Sequence, residues 1–414
     1  MYRQATIGCR KIANVLQVVF GYFLDKIPHY TTIRQWLIRN GFYHLQVPLE
    51  TANDWVAIGD LTVDVGRIKC LAVIGIRMSR VEWLDSYTLT HRDMTILGLY
   101  PTESSTGEFV QKAFHNARNR VGGDFQALVI DQGSDIKKGA RLFREQYPGI
   151  KIIHDIAHKL SLVMERALQN NPAWRAFIKK LLDTRQLIQQ TEFAAMMPPR
   201  QRAKGRFMDI GYLVEWPERI LQSRQDGYLA TIEDKRYEKY FGWIKEFESQ
   251  LFDWKYMYGA VDLIKCAFRD YGLSRETYEY IQAFFEAALP TEKSALDLFT
   301  DAILSTILEE CNKLKEDETM ICMTEVLESL FGKLKVLISG NQGITGNILG
   351  LAALVGPEMS EEVVKETMER SSIKEAQGWV EENLRGRIGK LRHRYFTSFK
   401  GTNIAKDIEC ANVA

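Results

Sequence analysis

Two aspartates stand directly against apolar runs, where a bare carboxylate is costly. Asp60 closes the apolar run of WVAIGDLTVDVG, and Asp131 follows ALVI in ALVIDQGSDIKKG. At the end of a buried strand each needs a cation or hydrogen-bond donors. If the two strands lie parallel and adjacent, the carboxylates face each other, and like charges that close are tolerated when a divalent metal neutralises them. Oxygen-only ligation suits magnesium or manganese. A third carboxylate is expected from a helix packed on the sheet. The pattern predicts a helix over 318–337, where Glu325 and Glu328 stand three residues apart on one face. Phe331 and Leu334 can anchor that helix, and Lys335, two turns beyond Glu328, is placed to meet a phosphate. Each residue also has a plainer role open to it: Asp60 as a strand-end turn residue, Asp131 within a Asp-Gln-Gly-Ser turn that caps the next helix, and either glutamate as part of a solvated helix face.

The elements that must position these groups follow from period and punctuation. Residues 55–61, 68–78 and 82–89 are rich in β-branched and aromatic residues and are separated by short polar or glycine-containing breaks, as three hairpin-connected strands would be. A helix is expected at 106–121, a strand at 125–130, a helix at 134–147, a strand at 150–154 and another helix from about 157. The order is βββαβαβα. Short turns make the first three strands antiparallel, and helical crossovers make the later ones parallel. This predicts a five-stranded mixed sheet with the first strand central and the fourth beside it.

Flanking this core, residues 7–23 carry apolar residues at three- and four-residue steps. After Asp25-Lys26-Ile27-Pro28, a second helix is expected at 31–40, capped by Thr31 or Thr32, with Ile33, Trp36 and Leu37 inward and a stop at Asn40-Gly41. The two read as a helix-turn-helix whose Thr32, Arg34, Gln35 and Arg39 face DNA; the competing reading is a helical pair that merely packs. From about 159 to 315 helical patterns dominate, including 174–190, 232–252 and 275–288, too long a stretch for a loop and therefore an inserted helical domain. The expected domains are 1–46 (helix-turn-helix), 47–160 with 318–345 (catalytic sheet), 161–317 (all-α insertion) and 346–414 (a helical, basic region). Residues 200–206 (RQRAKGR) and 385–400 (RGRIGKLRHRYFTSFK) are candidate phosphate-contact patches, and Gly340-Asn341-Gln342-Gly343 a break. Asp155 and His158 form a D-x-x-H step at a helix entry, and His154 with His158 has metal-pair spacing. Capping is the favoured role, with a border of the active site as the alternative.

Composition narrows the classes. At 414 residues the chain is too long for one ordinary core. A hydrophobic fraction of 46% excludes wholesale disorder, and a net charge of +1 argues against a wholly basic binder while allowing local basic faces. The six cysteines form no CxxC pair, which disfavours a zinc ribbon or a disulfide framework. With no signal-like opening and no run of about 18 apolar residues, a cytoplasmic location is expected.

Taken in order, Asp60, VIDQGSDIKKG around Asp131, HDIAHKL at 154–160 and TEVLESLFGKLK at 324–335 resemble bacterial insertion-sequence transposases of the DDE class, in particular those with a helical domain inserted before the catalytic glutamate. ITGNILGLAALVG and the N-terminal helices are more weakly similar. The resemblance implies a ribonuclease H-like fold with Asp60, Asp131 and Glu328 as catalytic metal ligands. Many relatives carry Tyr-x2-Arg-x3-Glu-x6-Lys around the glutamate. This chain keeps Glu328 and Lys335 at that spacing but has Ile321 and Thr324 where tyrosine and arginine would stand, which points to another subgroup. The chemistry implied is two-metal cleavage and strand transfer on double-stranded DNA, with two magnesium or manganese ions per site and a homodimer or larger assembly to pair two DNA ends. Two other readings are a domesticated, non-catalytic DNA-binding protein and a ribonuclease H-like nuclease that cuts without joining.

Overall fold

A computed structural model describes residues 7–384 apart from 64–66, 82–83, 85, 202–206, 289–294 and 338–343, together with 393 and 395. Five strands, β1 (Trp55–Val63), β2 (Lys69–Arg77), β3 (Thr95–Thr102), β4 (Phe125–Ile130) and β5 (Lys151–His154), form one sheet in the order β3-β2-β1-β4-β5. β1 pairs antiparallel with β2, β2 antiparallel with β3, and β1 parallel with β4. The fold is therefore α/β with a mixed sheet, β1 central and β4 at its side.

One face of the sheet is sealed by the helices Gly107–Val121 and Ser134–Gln146, whose Val110, Phe114, Ile136 and Phe143 bury against Trp55, Ala57, Leu71 and Leu128. Thr106 caps the first of these helices by accepting from Phe109 N. Gly59 belongs to this face: a Cβ there would stand 2.8 Å from the Phe114 ring, so glycine lets the ring approach β1 this closely. Strand alternation then turns Asp60 to the opposite face.

The third strand is not at 82–89. There the described residues Leu84, Ser86, Tyr87, Thr88 and Leu89 lie in no strand, and β3 is TILGLYPT. Its buried Ile96, Leu97 and Leu99 read as a continuous apolar run rather than an alternation, and Gly98 and Pro101 resemble turn punctuation. Pro101 is tolerated because β3 is an edge strand.

Two compact units divide the chain. The first comprises the described residues of Met1–Leu84, Thr88–Ile153 and Thr324–Ala414; the second comprises those of Asp85–Tyr87 and His154–Met323. The first unit thus holds the sheet together with the N-terminal helices and the helices Leu349–Leu354, Glu361–Arg370 and Ile373–Asn383. The second is helical, with Pro172–Ile188, Glu248–Tyr271, Arg275–Ala288 and Ala295–Cys311 as its longer members. Its aromatic centre includes Trp174, Phe177 and Trp254, with Trp174 edge-on to Trp254 at 4.9 Å. The helix expected at 232–252 is broken: a 3-10 turn, Gly242–Phe247, separates Asp234–Phe241 from Glu248–Tyr271 and brings Trp243 and Phe247 inward against Phe177.

The N-terminal pair also departs from expectation. The first helix is Cys9–Phe20 and only Ile12 in it is buried. The second runs Tyr30–Gln46 with His29 at its N-cap and no side-chain cap, so neither Thr31 nor Thr32 performs that role, and Asn40-Gly41 does not stop it. Gly41 sits inside the helix because the helix Leu349–Leu354 packs directly on it: a Cβ would lie 1.8 Å from the Leu349 carbonyl oxygen. Trp36 is exposed rather than inward. Since backbone cannot yield as a side-chain tip can, Gly41→Ala is expected to destabilise the first unit by about 1–3 kcal/mol, read as a lower urea midpoint.

Candidate active site

The parallel ladder between β1 and β4 ends with Gly59 opposite Ile130. Asp60 and Asp131 are the next residues of the two strands, which lie about 4.8 Å apart in any sheet. β1 itself continues to Val63 through its pairing with β2, so Asp60 stands within a strand and at a strand end only with respect to β4. Ile130, the last residue of β4, belongs to the core of the first face, and Asp131 follows it directly outside the strand. Both side chains are half-buried. Asp60 Oδ1 accepts from Leu61 N at 2.6 Å, and Asp131 Oδ1 accepts from Gly133 N at 2.9 Å, an Asx-type turn into the next helix. The chain fills one side of β1 with β2 and β3, then crosses to the other with β4 and β5. The two carboxylates therefore lie at the point where strand order reverses, the place where open α/β sheets bind ligands.

A buried amide adjoins them. Gln132 Nε2 is buried without a hydrogen-bond partner among the described residues, and so is Ser105 Oγ, just past the end of β3 at the same sheet edge. Buried donors are rarely left orphaned in a finished structure, so this edge has unmet capacity for an oxygen-bearing ligand.

The helix expected to carry the third carboxylate is Glu325–Leu337, which packs against β1. That helix starts at Glu325 rather than 318. Met320 bridges Leu273 through two backbone bonds of 2.8 and 2.9 Å, and Cys322 O accepts from Ile156 N, which holds 320–322 extended. Leu327, Leu330, Phe331 and Leu334 form the buried stripe. With Val326 buried beside them, both Glu325 and Glu328 lie away from the buried side at about 100° per residue, Glu328 in line with Lys335 and Glu325 half-buried at the helix start. Glu328 and Lys335 are exposed. The structure does not gather Glu328 with the aspartates into one cluster: among the described residues no three His, Cys, Asp or Glu side chains come close enough to hold a metal ion. The aspartate pair still fits a hard divalent cation, because magnesium is commonly held by one or two carboxylates with water and substrate phosphate filling its other positions.

The N-terminal residues expected at DNA have unequal freedom. Thr32 is half-buried and Gln35 exposed. Arg34 Nε donates to Asn347 Oδ1 at 2.6 Å on the surface. Arg39 is committed elsewhere: its Nε donates to Ser371 O at 2.8 Å and its Nη2 to Met368 O, so it satisfies the carbonyls at the end of the helix Glu361–Arg370. Arg39 therefore has a structural role that the amphipathic pattern did not reveal. Of the basic patches, 202–206 and, apart from 393 and 395, 385–400 lie outside the described residues, as does the break at 340–343.

In the second unit Asp155 is the N-cap of the helix Ile156–Leu168, accepting from His158 N at 3.0 Å. His154 is not half of a metal pair with His158. Its Nδ1 lies 3.1 Å from Glu310 Oε1 and 3.0 Å from Lys313 Nζ. Glu310 also accepts from Lys159 and Lys313. Sequence reasoning missed this cluster, although a signal existed: Glu310 continues the apolar series Ile303, Ile307 at helical spacing, where a carboxylate must be paired.

No protein-family model matches the chain, and no curated protein matches it. Among the described residues no helix is long and apolar enough to cross a membrane.

Proposed function

We propose that this chain is a DNA transposase of the DDE class built on a ribonuclease H-like core. The single observation that supports it most is the juxtaposition of Asp60 and Asp131, one residue past the last parallel pair of β1 and β4, with the helix that carries Glu328 packed against β1. In this reading Asp60 and Asp131 hold divalent cations and Glu328 is the third ligand. Magnesium or manganese ions held there would supply charge neutralisation at phosphorus and would lower the pKa of a nucleophilic water or 3′-hydroxyl. Gln132 offers its unused amide donor to a phosphate oxygen, and Lys335, on the Glu328 side of its helix, pairs with a flanking phosphate. Thr32, Arg34 and Gln35 contact double-stranded DNA, with Arg34 toward phosphate and the other two toward base edges or backbone. Arg39 is left out of that set, since its donors already serve carbonyls.

The test is a supercoiled plasmid carrying the inverted repeats that flank the reading frame, incubated with the purified chain and magnesium. Cuts at the element ends followed by joining of the 3′-hydroxyls to target DNA are expected. Cutting without joining would replace this reading with a nuclease. Binding without any cutting, in manganese as well as magnesium, would replace it with a domesticated binder.

A further inference from the structure

Three segments far apart in sequence line one cleft within the first unit. The helices Cys9–Phe20 and Tyr30–Gln46 and the 3-10 turn Gly346–Ile348 surround about 520 Å³, and Arg10, Lys11 and Arg34 stand around it. Among the described residues no carboxylate lines it. The sequence withholds one: residues 1–24, 26–49 and 329–357 contain neither aspartate nor glutamate, although the net charge of the whole chain is only +1. A cleft lined by one sign of charge focuses its field on whatever enters.

Neutral groups hold the two arginines in place. Arg34 Nε donates to Asn347 Oδ1 at 2.6 Å, and Asn347 is fixed in its turn by the Thr345 hydroxyl, which accepts from the Asn347 backbone N. Arg10 lies over the Tyr30 ring, 4.8 Å from its centre. Among the described residues none of the three cations is ion-paired. Cys9 does not offset them, because burial pushes its thiol pKa upward and keeps it neutral. The charges are thus positioned but not compensated.

We propose that this cleft binds a terminal phosphate group, carried by a free nucleotide or by the 5′ end of a DNA strand. A phosphate monoester concentrates about 1.5 to 2 negative charges at neutral pH on one compact group, which suits cations converging on one cleft. A backbone phosphodiester carries a single charge. Guanidinium groups match phosphate oxygens in pairs, and lysine adds a point charge. The volume falls within the range of about 300–1,000 Å³ for small-molecule sites, which one nucleotide can enter and a duplex cannot. The inference stands apart from the catalytic reading, although both give Arg34 a phosphate, because it is tested without metal or duplex DNA.

The experiment is isothermal titration calorimetry of the full chain in EDTA with three probes: adenosine triphosphate, a short single strand bearing a 5′-phosphate, and the same strand with a 5′-hydroxyl. A Kd of about 1–100 μM is expected for the nucleotide, the phosphorylated strand or both, with the hydroxyl strand at least about tenfold weaker, the loss of one charge-assisted contact. Binding of the nucleotide alone names a free ligand as the source, and binding of the phosphorylated strand alone names a DNA end. Arg10→Gln and Arg34→Gln should each weaken binding by about tenfold or more. Lys26→Gln, which removes a cation of the same acid-free region outside the cleft, should change it by less than about twofold. All three side chains are exposed, so the thermal melts of the variants should match that of the parent. Failure of both phosphorylated probes to bind overturns the proposal, and so do strands bound equally with and without the phosphate. Binding that the arginine substitutions leave intact, or that Lys26→Gln weakens as much, overturns it too.

Discussion

Asp60→Asn and Asp131→Asn are each expected to lower magnesium-dependent cleavage of element-end DNA by about 1000-fold or more, because the charge stabilisation lost is several kcal/mol and about 1.4 kcal/mol corresponds to a factor of ten. Asparagine keeps the volume of aspartate and one carbonyl-type oxygen. It can therefore still accept from Leu61 N or Gly133 N and leave the strand ends in place. What it removes is the anionic oxygen a hard cation requires. End binding, which the proposal assigns to the N-terminal helices, should change by less than about threefold, well under the 1.4 kcal/mol of a tenfold effect. Gel retardation and cleavage assays on the same preparations check both halves of the prediction. Glu328→Gln should match the aspartate variants, whereas Glu325→Gln, half-buried at the helix start, should cut normally. Cleavage retained in Glu328→Gln and lost in Glu325→Gln would reverse the assignment of the third ligand.

How much of this was legible in the sequence depends on whether a signal was local. β1, β4 and the helix after β4 announce themselves through uninterrupted apolar runs and abrupt polar turns, and the order of strands and helices then leaves little freedom for where β4 pairs. The two aspartates could be found because a carboxylate abutting such a run is anomalous in itself. β3 was hidden because a strand with buried residues on both faces loses its alternation, while Gly98 and Pro101 imitate a turn. Asn40-Gly41 gave a helix stop that the fold overrides, since the glycine serves the close approach of Leu349–Leu354, more than 300 residues away. Arg39 illustrates the same limit. An arginine on a helix looks like a DNA contact until the carbonyls of Met368 and Ser371, distant in sequence, are seen to take its donors. Gln132 stood in plain view beside Asp131, yet that its buried Nε2 lacks a partner among the described residues shows only in the folded chain.

Glu310 gives the largest expected effect on stability. Its side chain is 1% exposed and receives His154 N at 2.9 Å, Lys159 Nζ at 2.9 Å and Lys313 Nζ at 2.5 Å. Burial pushes the carboxyl pKa upward, but the hydrogen bonds from His154 and the charge and hydrogen bond of Lys313 outweigh it and hold the group at about 2, against 4.5 for an ordinary glutamate. A pKa lowered on folding means stability that is fully present above about 4.5 and is lost as pH falls through about 2. Glu310→Gln preserves the volume but leaves two lysines facing a neutral amide. Breaking a buried pair from one side costs about 3–5 kcal/mol. Because Lys159 and Lys313 keep 16% and 27% side-chain exposure, water recovers part of that cost, and the lower end of the range is expected at neutral pH. Urea denaturation of the parent and variant at pH 7 and again near pH 3 makes the cause visible. The gap between them should shrink in acid, where the parent forfeits the same interaction by protonation of its unfolded state. A gap unchanged with pH would assign the loss to packing, and the cluster of His154, Lys159 and Lys313 would then hold Glu310 without gaining stability from its charge.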